Sequence, residues 1–276
     1  MNEELKPSGD CGNLGAKPVS EISAYIIAFN EEDKIADAVN SVLWADEVVV
    51  VDSHSTDRTA EIAESLGAHV VQLDFNGFGK LRNDAIATCS HEWVFSLDSD
   101  ERCTPEVEQE TRSIISNSSA ADAYYVPRRN WFMGRWIKHC GWYPDYRQPQ
   151  LFRKQALAFD NTDEVHESYE IHGKAGHMKA AIWQIPFKNL AEVQAKGMRY
   201  STLGVDRLER QGVKGSMAKS VTRGAWSFFR IYILKLGFLD GWAGFVIAFG
   251  NLEGVFYRYA KLYERQRNWS KPPKHP

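Results

Sequence analysis

Between residues 22 and 115 the chain alternates four times between a short apolar run and a stretch of helical periodicity. The apolar runs are "ISAYIIAF" (22–29), "EVVVVDS" (47–53), "AHVVQL" (68–73) and "WVFSL" (93–97). They are too short for buried helices and rich in β-branched and aromatic residues, so they read as strands. The intervening stretches are "EEDKIADAVNSVLWA", "TDRTAEIAESLG", "GKLRNDAIATC" and "TPEVEQETRSIIS". Gly67 stops the second helix, while Thr104 caps the fourth with Pro105 in its first turn. Four β-α units in series predict an α/β fold, a mostly parallel, doubly wound sheet with right-handed crossovers.

In such a sheet, ligands sit beyond the carboxyl ends of the strands. Three of the four predicted strands end there in polar groups: Asn30 and Glu31, Asp52 and Ser53, and Asp98, Ser99 and Asp100. A single polar ending is adequately explained as a helix cap; three on one edge point to a site. The last is the most demanding, because "WVFSLDSDE" (93–101) sets three carboxylates in four positions and asks for a positive partner. An Asp-x-Asp pair suits a hard divalent cation that also bridges to substrate phosphates. A solvated acidic turn is the plainer reading of the pair in isolation.

Other ligand classes lose ground at the same positions. No GxGxxG follows the first strand and no GxxxxGK[ST] occurs, which argues against dinucleotide oxidoreductases and P-loop NTPases. The position after the first strand is acidic "FNEED", where a sugar nucleotidyltransferase needs a Gly-rich basic loop for a triphosphate. At 43% apolar and 25% charged, the composition is that of a globular protein. The four cysteines (Cys11, Cys89, Cys103, Cys140) have no CxxC spacing and read as reduced thiols, which implies a cytoplasmic setting.

In order and spacing, "IIAFNEEDKIADAVNSV", "EVVVVDSHSTDRTAEIA", "GKLRNDAI" and "WVFSLDSDE" resemble the nucleotide-binding half of inverting family 2 glycosyltransferases, which have the GT-A fold. "RRNWFMGRWIKHCGWYPD", "QLFRK", "VHES" and "GFLDGWAGF" look like the bacterial lipopolysaccharide inner-core members, the heptose β-1,4-glucosyltransferase group. The resemblance spans about residues 22–262 and implies transfer of a hexose, glucose and UDP favoured, from a nucleotide diphosphate sugar to a glycolipid hydroxyl. It implies that Ala28, Phe29, Asn30 and Glu31 line the base and ribose pocket and that Asp52 contacts the uracil or ribose. Lys80, Arg82 and Asn83 approach the nucleotide sugar. Asp98, Ser99 and Asp100 hold the diphosphate through Mg²⁺ or Mn²⁺, with Asp100 the favoured direct ligand. Some family members place the catalytic base in an acidic pair after a mid-domain strand. This chain lacks that pair and offers "DEVHES" instead, with Glu167 as expected base and His166 as a third metal ligand or positioning group.

From residue 120 the texture changes. Arg128, Arg129, Arg135, Arg147 and Arg153 are interleaved with Trp131, Trp136, Trp142 and Tyr143. Guanidinium forks bind phosphate bidentately and aromatic faces stack on sugars. The reading is an acceptor cleft for a phosphorylated glycolipid, with Arg128, Arg129, Trp142, Tyr143, Arg147 and Arg153 lining it. Single-stranded nucleic acid uses similar residues, but no RNA-binding signature occurs. A polyprenyl phosphate or peptide acceptor, or a glycan- or lipid-binding protein without turnover, fits the same residues.

The expected organisation is a mobile leader (1–20), a catalytic domain (21–189, divided near 120 into donor and acceptor halves) and a helical extension (190–276). Charge is uneven: residues 206–276 hold 13 Lys and Arg against 5 Asp and Glu, or +8, leaving 20 against 31, or −11, for the rest. Lys219, Arg223 and Arg230 fall within about 40° on a helical wheel, amid bulky apolar residues. The apolar stretch 241–252 is only 12 residues long, too short for a span. Such a helix either lies in the interface of the cytoplasmic membrane or packs on the catalytic domain, its basic face meeting that domain's acidic surface or an oligomer partner.

Overall fold

The computed structural model describes residues 20–161, 168–267 and 269. The four β-α units form as the periodicity predicts: β1 (Ile22–Ala28), α1 (Ile35–Asn40), β2 (Glu47–Asp52), α2 (Thr59–Ser65), β3 (His69–Gln72), α3 (Phe78–Thr88) and β4 (Trp93–Asp98). A two-residue strand β5 (Glu101–Arg102) precedes α4 (Pro105–Ile115). The helix punctuation holds: Gly67 has φ +89°, and the Thr104 hydroxyl accepts from the Val107 amide at 3.3 Å. α1 and α2 are shorter than their periodicity, because residues 31–34 and 56–58 are drawn into loops at the strand ends.

Short strands follow: β6 (Ala123–Tyr125), β7 (Arg128–Phe132), β8 (Arg135–Trp136), β9 (Leu151–Arg153), β10 (Leu157–Phe159), β11 (Tyr169–Ile171), β12 (Ala175–His177) and β13 (Ile182–Gln184). The main sheet runs β12-β6-β9-β4-β1-β2-β3. β1 to β4 are mutually parallel, and β9 enters antiparallel to both β4 and β6. Both faces are covered, so β1 is buried along its whole length. A second sheet, β5-β13-β7-β8, begins where β4 ends.

Helices α5 (Leu190–Arg210), α6 (Met217–Phe229) and α7 (Gly241–Arg265) complete the chain. α6 continues through a π turn (Arg230–Leu234), and a 3₁₀ turn (Gly237–Asp240) leads into α7. Ile231, Ala243, Ile247 and Ala248 from this region pack on Phe132, Ile137 and Cys140, joining the helices to the catalytic body.

Candidate active site

Strand register brings three polar strand ends together. Asp98 of β4 pairs across from Ile27, and Asp52 of β2 from Ala28, so both aspartates flank the last turn of β1. Beyond them the loops after β1 and β2 are laced by hydrogen bonds. The Asn30 amide donates to the Ser55 hydroxyl (2.8 Å), and the Thr56 amide donates to Asn30 Oδ1 (2.8 Å). The Glu31 amide donates to Thr59 Oγ1 at 2.8 Å. Asn30 takes φ +53°, a region asparagine tolerates better than most residues. Phe29 projects into solvent, 58% exposed, and Ala28 is buried beneath it.

Asp52 belongs to this lacing. It is fully buried and accepts from the Ser55 amide at 2.9 Å and from the Ser55 hydroxyl. Expected as a base or ribose contact, it is here the organiser of the loop that Asn30 rests on.

The side chains from the end of β4 onward, Asp98 to Arg102, divide by direction. Asp98 Oδ1 accepts from Arg82 Nη2 at 2.9 Å. Burial alone would raise the Asp98 pKa, but the guanidinium charges of Arg82, Arg128 and Arg147 hold it below the usual carboxylate range. Glu101 turns inward and is fully buried; it pairs with Arg128 Nε and accepts from Gln150 Nε2 (2.7 Å) and the Asp98 amide (3.1 Å). Arg102 fastens the outside of the same turn through the Ser99 carbonyl (2.8 Å) and reaches the Lys34 carbonyl (2.9 Å) after β1.

Asp100 is treated differently. Among the described residues its carboxylate accepts hydrogen bonds from the Gln184 amide alone, at 3.3 and 3.4 Å. Burial, then the charges of Asp98 and Glu101, push its pKa up to about 7, and the nearby Lys34 offsets this only in part. Among the described residues the acidic pair therefore consists of one carboxylate in a direct ion pair and one with cations nearby but none in contact. That fits a divalent ion, which in phosphate-handling sites takes one or two carboxylates and completes its shell with water and substrate oxygens. Among the described residues no cluster of three or more His, Cys, Asp or Glu could hold a metal by itself. His166 and Glu167, the expected third ligand and base, lie outside the described residues. Their flanks are fixed: the Asp160 amide donates to the Ser168 carbonyl at 2.8 Å, and Tyr169 Oη donates to the Arg147 carbonyl at 3.1 Å.

Several expected contacts are corrected. Arg82 is 2% exposed and serves Asp98 from beneath, because a buried guanidinium needs a carboxylate. Asn83 spends its amide on β10, donating to the Phe159 carbonyl (2.8 Å) and accepting from the Phe159 amide (2.9 Å). Lys80 pairs with Asp84 one turn along α3 at 2.7 Å. Arg128 is fully buried on Glu101, so it supports the acidic turn and lines no cleft. Arg129 points to the opposite face of β7, lodged over Trp136 (5.2 Å) and Trp183 (5.6 Å). Arg153 sits across from Trp93 at the far end of β4 and pairs with Glu92, which removes it from the acidic edge.

Tyr143 and Arg147, expected to line the acceptor cleft, stand on the side of the acidic edge. Both are exposed on the loop that leads from β8 to β9, and the Arg147 guanidinium, paired with Asp145 at 2.8 Å, acts electrostatically on Asp98. Trp142 is half-buried against Phe132 at 5.9 Å. Residues missed from sequence are Glu101, Gln150 and Gln184. A third carboxylate within four positions of the strand end was the available signal for Glu101, since a buried acid so close to two others needs a cation of its own.

Residues 23–181 match the glycosyl transferase family 2 profile. An uncharacterized glycosyltransferase of Rickettsia bellii is 31% identical over 254 residues, covering 88% of this chain and 86% of that protein. The lipopolysaccharide core biosynthesis glycosyltransferase LpsC of Rhizobium meliloti is 26% identical over 266 residues, 92% of this chain and 96% of LpsC. Among solved structures, S. aureus TarS 1–349 in complex with UDP aligns at 18% identity and TM-score 0.48, over 91% of this chain and 93% of that one. With its α/β sheet, its aligned polar strand ends and a family match across more than half its length, the chain belongs to glycosyl transferase family 2 and is a glycosyltransferase.

Proposed function

We propose that the protein transfers a hexose, with glucose and UDP the first choices, from a nucleotide diphosphate sugar to a hydroxyl of lipopolysaccharide core or a similar phosphorylated glycolipid, with inversion. The observation that carries the donor half is the Asp98/Asp100 pair at the aligned strand ends, with one carboxylate in a direct ion pair and the other with cations nearby but, among the described residues, none in contact. The similarity to LpsC over nearly its full length supports the acceptor class.

In the reaction, the acceptor oxygen bonds to the sugar C1, the bond from C1 to the diphosphate oxygen breaks, and the acceptor proton passes to a carboxylate base. Asp98 and Asp100 would hold Mg²⁺ or Mn²⁺, which as a Lewis acid stabilises the leaving diphosphate. Arg82 keeps Asp98 ionised and aimed at the site, and the Glu101–Arg128 pair fixes the turn that separates the two aspartates. Asn30, Glu31 and Phe29 form the wall against which a nucleoside sits. Glu167 is the proposed base, with His166 beside it as ligand or positioning group.

The direct test is calorimetric titration with UDP, ADP, GDP and CMP, each with Mn²⁺ and with EDTA, repeated on Asp100→Ala. Binding of one nucleoside diphosphate that needs both metal and Asp100 is expected. Binding indifferent to metal and to Asp100 would remove the proposed donor site. On the acceptor side, Arg147→Ala should raise the acceptor KM about tenfold with little change in donor KM, the loss of one charge-assisted contact. Arg153→Ala should change neither, because its guanidinium faces Glu92 at the other end of the sheet.

A further inference from the structure

The junction of α6 and α7 is built in two layers. Its inner layer is fixed to the catalytic body. Asp240, 2% exposed, accepts from the backbone amides of Lys138 (3.2 Å) and His139 (2.8 Å), and the Cys140 amide donates to the Lys235 carbonyl (3.0 Å). Its outer layer is apolar and bare: Trp226, Ile233, Leu234, Phe238, Leu239 and Trp242 all face solvent, Trp242 at 79% exposure.

Charge surrounds this apolar tip. Between Arg210 and Glu253 the chain carries Lys214, Lys219, Arg223, Arg230 and Lys235. All five are exposed, and the one acidic residue in that interval is the buried Asp240. On the wheel of α6, Trp226 falls within about 20° of Lys219, so the basic stripe and the aromatic stripe coincide.

We infer that this tip seats in the interface of an anionic lipid bilayer. Trp, Phe and Leu enter the headgroup boundary while Lys and Arg meet lipid phosphates, which is the signature of an interfacial amphipathic element. Among the described residues no single helix is long and apolar enough to cross a bilayer; the segments Met217–Leu234 and Gly237–Arg265 pass that test only together, bent by 72°, and the exposed cations along the first of them favour a seat at headgroup depth. A second copy of the chain is a poorer occupant, because a two-fold interface would set each basic set against its twin. The clamp by Asp240 gives the seat a consequence for the site. The loop it grips runs on from His139 to Tyr143 and Arg147, so the acceptor side of the acidic edge is rigidly tied to the bilayer surface. This inference rests on the tip alone and is independent of donor and acceptor chemistry.

The test is co-sedimentation of the full-length protein with vesicles of phosphatidylcholine, and of phosphatidylcholine mixed with phosphatidylglycerol, beside Leu239→Glu/Trp242→Glu and Arg230→Ala/Lys235→Ala. The wild type should partition onto the mixed vesicles at low salt. Both double variants should lose at least about tenfold of that partition while keeping the wild-type melting curve and nucleotide titration. No binding of wild type to mixed vesicles, or binding untouched by the Glu variant, overturns the inference. So does a lipid-free dimer in ultracentrifugation that dissociates on Leu239→Glu/Trp242→Glu, which would assign the face to a second copy.

Discussion

Replacing Glu101 with leucine is expected to lower the melting temperature by about 10 °C, the largest single effect at the site. The change strands Arg128 as a buried charge, and breaking one side of a buried pair costs roughly 3–5 kcal/mol. In a chain of this size each kcal/mol moves the midpoint by about 2–4 °C. Arg128 is fully buried, its Nη2 makes no hydrogen bond among the described residues, and its remaining support is the Asp145 carbonyl at 3.1 Å and the charge of Asp98, which already pairs with Arg82. Pairing Glu101→Leu with Arg128→Met should return most of the stability, since apolar residues substitute well for a buried pair. It should not return transfer, because the Asp98 amide donates to Glu101 and the turn loses its register. A single Glu101→Leu variant that melts within about 2 °C of wild type would show that the pair holds nothing in place.

Asp100→Asn should do the reverse: stabilise the metal-free protein and abolish function. The Asp100 pKa stands at about 7 in the folded chain, well above the ordinary aspartate value. A raised carboxyl pKa means the folded state disfavours the charge. The cost is fully present above pH 7, shrinks as pH falls and is gone below the unfolded value. At pH 8 the substitution is therefore expected to add roughly 2 kcal/mol, less than the shift alone implies because the carboxylate is partly exposed. That gain should fade towards pH 4. Adding Mn²⁺ and the nucleoside diphosphate should stabilise wild type and leave the variant unmoved. Transfer should fall at least about a hundredfold with the loss of the ion's contribution to the leaving group. In the wild type, metal affinity should drop about tenfold per pH unit below 7, since the ligand must first lose its proton. Equal stability of the two proteins at pH 8 would mean that Asp100 has a positive partner after all.

What could be read from the sequence was whatever depends on neighbours along the chain. The β-α alternation, the Thr104 cap and the Gly67 stop depend on such neighbours, and all appear where the pattern puts them. Alignment of the strand ends was also legible, because parallel strands of similar length share a carboxyl edge. Arg128 and Arg153 were misplaced for a common reason. Composition shows that a segment is rich in guanidinium, but strand alternation and register decide which way each one points, and the strands after residue 120 are too short to carry a periodic signal. Glu101 faces Arg128 and Arg82 faces Asp98 because buried charges need partners, and the partner of Asp98 lies 16 residues back along the chain. Gln184 had no signal at all; it reaches Asp100 only because β13 pairs with β5.

That pairing also bears on how the site comes into being. During synthesis the strands carrying Asp52 and Asp98 emerge early and lie on either side of β1 in the sheet. The glutamine that braces Glu101 follows 49 residues later, and the one that meets Asp100 follows 84 residues later. A ribosome that has released only the first four β-α units has therefore exposed an acidic turn with half its fastenings missing. The first four β-α units are in this chain no detachable module. Their most charged corner is finished by Gln150 and Gln184 from the segment after residue 120, so these units cannot be exchanged between relatives without carrying part of that segment.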